Sequence, residues 1–301
     1  MFRDTIDIAA RRIAIVGNPN SGKTTLFNVL TGLRQKVANY PGVTVEKKEG
    51  RIILDDRQEV TLLDLPGSYS LTPHSPDEKI ATDVLLGRLG HTPAPDGVIC
   101  VVDASNLERN LYLVSQIIDC EVPMVIALTM VDAAEKENIV VDAGKLSARL
   151  GIKVIPTVAT KGIGIRELKR VLGEGFPSSP IPRQWTLPEP MRSELTELTG
   201  IVLHHHRLTG PEAFQESLHL LSSPAVSEEQ TRRFAPDVLT HVRQDHQRLD
   251  ALGIDRFSTV VEARYDWIQR VCRDVVTKQP RTGVSISDRI DRISRTGSGG
   301  S

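Results

Sequence analysis

One stretch near the start of the chain restricts its fold more than any other: Gly17-Asn18-Pro19-Asn20-Ser21-Gly22-Lys23-Thr24-Thr25. It fits G-x-x-x-x-G-K-[ST] and follows Arg12-Ile13-Ala14-Ile15-Val16, a short apolar run that reads as a buried strand. Leu26, Phe27, Val29 and Leu30 then recur at helical spacing. Strand, glycine-rich loop and helix are the three parts of a phosphate-binding turn. Loop N–H groups and the positive end of the helix converge there on a phosphate. Lys23 can add a point charge between the β- and γ-phosphates, and the Thr24 hydroxyl can ligate Mg²⁺.

The rest of the chain sets the frame for that loop. Its 301 residues suffice for one large domain or two ordinary ones, with 40% hydrophobic and 25% charged residues. A formal net charge of −1 gives no general attraction to nucleic acid or to an anionic membrane surface. Cys100, Cys120 and Cys272 lie in apolar contexts at unrelated spacings, so neither a disulfide framework nor a zinc site is expected. Met1 to Arg12 is polar and charged, and no apolar run approaches 18 residues. The expectation is a soluble chain.

From Arg12 to about Gly173 short apolar segments alternate with amphipathic ones. Strands are predicted at 12–17, 50–54, 59–64, 97–103, 123–129 and 152–158, and helices at 22–31, 77–87, 106–118, 142–150 and 164–172. This alternation argues for a doubly wound, mostly parallel sheet. The stretch from Gly175 to Pro182 is Pro/Ser-rich, strand signals stop there, and a small all-helical domain is expected to follow. Leu195, Leu198, Val202 and His206 recur at helical spacing, Ser227 with Gln230 reads as a capping box, and Val261, Tyr265, Ile268, Cys272 and Val275 share a further helix face.

Four later segments say what the loop binds. Asp64-Leu65-Pro66-Gly67 closes a strand where a Walker-B aspartate belongs; Asp64 can hold Mg²⁺ through a water, and the Gly67 N–H can sense a γ-phosphate. Thr44, after Gly42 and Val43, offers a hydroxyl to Mg²⁺ from a segment without strong secondary-structure signal, as a switch does. Thr129-Met130-Val131-Asp132 ends another strand, and a carboxylate there can accept two hydrogen bonds from guanine. Val158-Ala159-Thr160-Lys161-Gly162 ends the last, with backbone N–H groups for the guanine O6. Apart from Thr44, each lies at a strand's C-terminal end, where ligands of such sheets bind.

These five segments resemble the G-motifs of TRAFAC-class P-loop GTPases. The chain is similar, more narrowly, to the cytoplasmic N-terminal region of the FeoB ferrous-iron transporters. Asn39-Tyr40-Pro41-Gly42-Val43-Thr44-Val45-Glu46 and Asp64 to Leu71 carry that likeness, with Ala263-Arg264-Tyr265 and Ser287 to Ile293 beyond the G domain. The resemblance implies a G domain over 1–175, a linker at 176–183, a GDI-like helical domain over 184–280 that slows GDP release, and a juxtamembrane segment with a Gly/Ser tail over 281–301. It implies a GTPase at the cytoplasmic face of the inner membrane. Its partners would be GTP or GDP and the transporter's membrane domain, with homo-oligomerisation possible and no nucleic acid.

Asn20, Lys23, Thr44 and Gly67 are the expected catalytic residues. Ser68 stands where Ras-like enzymes carry a water-orienting glutamine, so intrinsic hydrolysis is expected to be slow. Asn20 resembles the asparagine that holds K⁺ in potassium-activated relatives, where the cation stabilises developing negative charge. Thr129 replaces the usual asparagine of the guanine motif, which predicts weaker nucleotide affinity with guanine preference retained through Asp132. Two alternatives stay open: an Era-like ribosome-assembly GTPase, and a GTP sensor without useful turnover. Three consecutive helical residues cannot converge on one ion, so a metal site from His204-His205-His206 would need His241 or His246 from another helix.

Overall fold

The computed structural model describes residues 11–40, 43–54, 58–72, 75–90, 92–176 and 180–278. Gly42 and the 281–301 segment therefore lie outside the described residues. A seven-stranded sheet runs in the order β2-β3-β4-β1-β5-β6-β8. Its strands are β1 (Arg12–Gly17), β2 (Gln35–Asn39), β3 (Glu46–Ile53), β4 (Glu59–Asp64), β5 (Gly97–Asp103), β6 (Met124–Thr129) and β8 (Val154–Pro156). From β4 to β8 every pairing is parallel, while β3 is antiparallel to β4 and β2 to β3.

Burial explains the central order. The β1 strand alternates Ile13 and Ile15 toward one face with Ala14 and Val16 toward the other, and all four are buried. One face packs beneath α1 (Lys23–Thr31) and α6 (Ile165–Glu174) through Leu26, Phe27, Leu30, Leu168 and Leu172. The other packs on α2 (Pro76–Leu85), α3 (Leu107–Asp119) and α5 (Ala143–Leu150), as strands covered on both sides should.

Several elements differ from expectation. The predicted strand at 50–54 begins at Glu46 and pairs with an unforeseen edge strand, β2, whose five residues are all exposed. The last sheet strand is shorter than 152–158, and a short helix α4 (Val131–Lys136) and strand β7 (Ile139–Val141) follow β6. After the linker come α7 (Glu189–His205), α8 (Gly210–Ser222), α9 (Glu228–Arg233), α10 (Pro236–Ala251) and α11 (Arg256–Val275). Strand structure does not stop before them, because β9 (Val276–Lys278) returns to pair antiparallel with β7.

The helices α7 to α11 share one continuous apolar core with the α3 side of the sheet. Trp185, Met191, Leu195, Val238, Trp267 and Ile268 join Leu113, Val114 and Ile117 in it. A buried ion pair crosses the same seam. Arg264 of α11 donates to Asp119 Oδ2 of α3 at 2.5 Å and to Ser115 Oγ at 3.0 Å. Asp119 Oδ1 also accepts from Arg183 Nε at 2.7 Å and Trp185 Nε1 at 3.1 Å. Both members of the pair are essentially removed from water, so removing either would strand a buried charge.

Candidate functional site

The phosphate loop leaves the C-terminal end of β1 between β4 and β5. Gly17 has to be glycine: a Cβ there would stand 2.8 Å from both Ser21 Oγ and the Val101 carbonyl oxygen. Asn20 and Gly22 then take left-handed conformations, at φ +65° and +87°, to turn the chain into α1. The chain caps α2, α8 and α9 with reciprocal side-chain boxes, whereas α1 has no side-chain cap and no acid in its first turn. Its first N–H groups and the positive end of its dipole thus face the loop uncompensated. Asn20, Thr24 and Thr25 are exposed at this mouth, and Asn18 and Ser21 are buried behind it.

Two charges meet on its floor. Lys23 Nζ is paired with Asp64 Oδ1 of β4, with both side chains about nine-tenths buried. Beyond Asp64 the chain passes close under the loop. Leu65 N–H donates to the Ile15 carbonyl at 3.1 Å and Ser68 N–H to the Gly17 carbonyl at 3.3 Å. A Cβ on Gly67 would lie 3.6 Å from Pro19. The Ser68 hydroxyl donates to the Ser70 carbonyl, so it is engaged within its own turn. Val43 and Thr44 are exposed in the connection between β2 and β3. Tyr40, just before them, is buried against Lys47, and burial and then the Asp64 charge push its phenol pKa upward.

Helix α3 holds the segment after Gly67. Gln116 Oε1 accepts from Leu71 N–H at 2.8 Å, and Gln116 Nε2 donates to Ser70 Oγ at 3.1 Å and Thr72 Oγ1 at 3.2 Å. Arg109 stacks over the Tyr69 ring at 3.9 Å, and its carbonyl accepts from Asn18 Nδ2 at 3.5 Å. Neither Gln116 nor Arg109 was among the residues expected from sequence. Both lie on an ordinary amphipathic helix, with no local signal to mark them.

At the other end, the Thr129 hydroxyl lies 2.7 Å from the Ser21 carbonyl of the phosphate loop and 3.1 Å from the Val102 carbonyl, placed to donate to either. Met130 is left-handed, at φ +54°, and turns the chain into α4, which carries Asp132. Asp132 Oδ2 accepts from Lys161 Nζ at 2.8 Å, and chiefly that bond holds its carboxyl below the usual carboxylate range. Val158 is buried, Thr160 is exposed, and Ala159–Lys161 forms a single 3-10 turn. Lys161 falls within a quoted motif, but the expected contacts there were backbone groups; its side chain on Asp132 was not foreseen.

Known proteins resemble this chain in sequence and in fold. A family model described as "Ferrous iron transport protein B" matches residues 11–172. The chain is 39% identical over 291 residues to the Fe(2+) transporter FeoB of Shigella flexneri, covering 92% of this chain and 35% of that protein. It is 53% identical over 161 residues to the FeoB of Salmonella typhimurium, covering 52% of this chain and 20% of that protein. The chain thus spans about a third of its Shigella relative's length. Among solved structures, a GDP-bound S. thermophilus NFeoB mutant superposes with a TM-score of 0.77 at 31% identity, covering 89% of this chain and 100% of that one. The cytosolic domain of L. pneumophila FeoB gives 0.73 at 34% identity, with 89% and 100% coverage. Sequence and fold therefore agree that this chain belongs to the FeoB family of ferrous iron transport proteins and carries its P-loop GTPase fold.

Proposed function

We propose that this chain is the nucleotide switch of a ferrous-iron transporter, one that binds GTP with Mg²⁺ and hydrolyses it slowly with K⁺ assistance. The observation that carries the reading is convergence at the C-terminal ends of the parallel strands. The uncapped start of α1, the Lys23–Asp64 pair and Asp132 all open on that edge. Lys23 would turn from Asp64 to the β- and γ-phosphates. Asp132 would accept from the guanine N1–H and amine, while backbone N–H groups of Val158, Ala159 and Thr160 meet O6. The buried Asp64 carboxylate and the exposed Thr24 hydroxyl are hard-oxygen donors of the kind Mg²⁺ takes. Asp64 through a water, Thr24, and Thr44 in the GTP state would hold that ion, which supplies charge neutralisation at the phosphates.

Hydrolysis in this reading relies on positioning. Ser68 is tied to Ser70, so the Gly67 N–H is left to locate the γ-phosphate. Exposed Asn20 would hold K⁺ where other GTPases place an arginine finger. The switch would be read out through α3, whose Gln116 grips residues 70–72 while Asp119 grips Arg264 of the helical part. In a full-length transporter that change would pass to the membrane portion at the cytoplasmic face of the inner membrane. No helix among the described residues is long and apolar enough to cross a membrane.

Multiple-turnover phosphate release measured in KCl and in NaCl tests this reading. We expect a K⁺-dependent rate that is lost in Lys23→Ala and Asp132→Ala. Unchanged turnover in Asp132→Ala would refute the base assignment, and equal rates in the two salts would remove Asn20 from its role. Nucleotide binding without turnover in either salt would favour a GTP sensor, which the engaged Ser68 hydroxyl makes a real competitor.

A further inference from the structure

Far along the chain from the phosphate loop, helices α7 and α10 bring a second set of metal-binding groups together. Glu194, His241 and Asp245 each offer a ligand atom, and these atoms all lie within 4.8 Å of one another. His241 and Asp245 are four residues apart and share one face of α10, opposite Glu194 and Glu197, three apart on α7. His241 Nε2 stands 3.5 Å from Asp245 Oδ1 and 3.8 Å from Glu197 Oε1. Of the histidines singled out from sequence, only His241 takes part: the His206 ring packs on Phe234, and His246 Nε2 faces the Leu220 carbonyl at 3.0 Å.

Two ligand atoms in this cluster have no hydrogen-bond partner. The Asp245 side chain is wholly buried and its Oδ2 makes no hydrogen bond, and neither does the buried Nε2 of His241. A buried carboxylate oxygen left unpaired is costly, so its persistence calls for a ligand. One cation already works on these groups: Arg248 donates to Glu194 at 2.9 and 2.7 Å and also to Asp245. Its side chain is half exposed, so the guanidinium can swing out to solvent on its long stem. Glu194, Glu197 and Asp245 gather three carboxyl groups around one guanidinium, an oxygen-rich donor set that suits a divalent ion.

We propose that Glu194, His241 and Asp245 form a site for a divalent first-row transition cation of the Mn²⁺, Fe²⁺, Co²⁺ or Zn²⁺ class, with Glu197 as a further ligand and Arg248 as the competing internal cation. The donor set decides the class: an imidazole among carboxylates favours these ions over Mg²⁺ and Ca²⁺, which prefer all-oxygen shells. Placing carboxylates and a histidine on facing helices is also how helical bundles build metal centres. Binding would pin α7 to α10. The site does not depend on the nucleotide reading.

The test is titration of the full chain, saturated with Mg²⁺ and GDP, with Co²⁺ followed by visible absorption and with Zn²⁺ by calorimetry. We expect one tight equivalent in the unaltered chain, weakened more than ~10-fold in His241→Gln and in Asp245→Asn. Arg248→Gln should bind more tightly, since it removes the competitor. Should Asp245→Asn fail to fold, Glu194→Gln carries the same expectation. Absence of a tight equivalent, or unaltered binding in His241→Gln, would overturn the site. Weaker binding in Arg248→Gln would overturn the competition.

Discussion

Thr129 reaches the phosphate loop with a single hydroxyl. From sequence, threonine in place of the guanine motif's usual asparagine means one fewer donor or acceptor. The remaining hydroxyl is placed within hydrogen-bonding reach of the phosphate loop, 2.7 Å from the Ser21 carbonyl. The strand that presents Asp132 is therefore anchored to the loop that carries Lys23. Thr129→Val keeps the shape and removes that bond, so GDP should bind about fivefold more weakly, or ~1 kcal/mol, by calorimetry. Thr129→Asn should bind more tightly than the unaltered chain. Equal affinities across the three proteins would show that the tether has no part in nucleotide binding.

At the scale of elements, α3 carries the most consequences. One side faces the sheet, Gln116 holds residues 70–72, and Ser115 with Asp119 holds α11. Gln116→Leu removes three hydrogen bonds from the segment that follows Gly67, and amide hydrogen exchange at Leu71 should accelerate markedly. Protection like that of the unaltered chain would mean that other contacts fix the segment. The sequence made α3 legible as a helix, through apolar residues at Leu107, Leu111, Val114 and Ile118. It did not reveal what α3 holds, because those partners lie 44 to 46 residues away for Gln116 and 145 or more for Asp119 and Ser115. The strands covered on both faces were likewise readable as apolar runs. Gln35–Asn39 was not, since an edge strand with every residue exposed has no buried face to leave a period of two. Three-residue β7 and β9 are too short to carry any period and exist only as a pair formed across the chain.

At the scale of the whole molecule, the helices add a second body of structure without a second core. Their apolar residues join those of α3 in one cluster, and the Asp119–Arg264 pair is buried within it. Asp119→Ala would leave the Arg264 guanidinium buried without its counter-charge, at a cost of ~3–5 kcal/mol. Urea denaturation should register that loss in one shared transition of sheet and helices. A loss confined to one of two separate transitions would contradict a common core. The β7–β9 pairing has a mechanical consequence as well. Val276 to Lys278 are the last described residues after α11, yet they pair with Val141 to Ile139 of the sheet-bearing part. Between Asp132 and that strand pair lies only the remainder of α4 and its turn. A pull applied at Lys278 is thus loaded onto a strand pair close along the chain to Asp132 before it can stretch the helices, so tension arriving there meets the sheet-bearing part first.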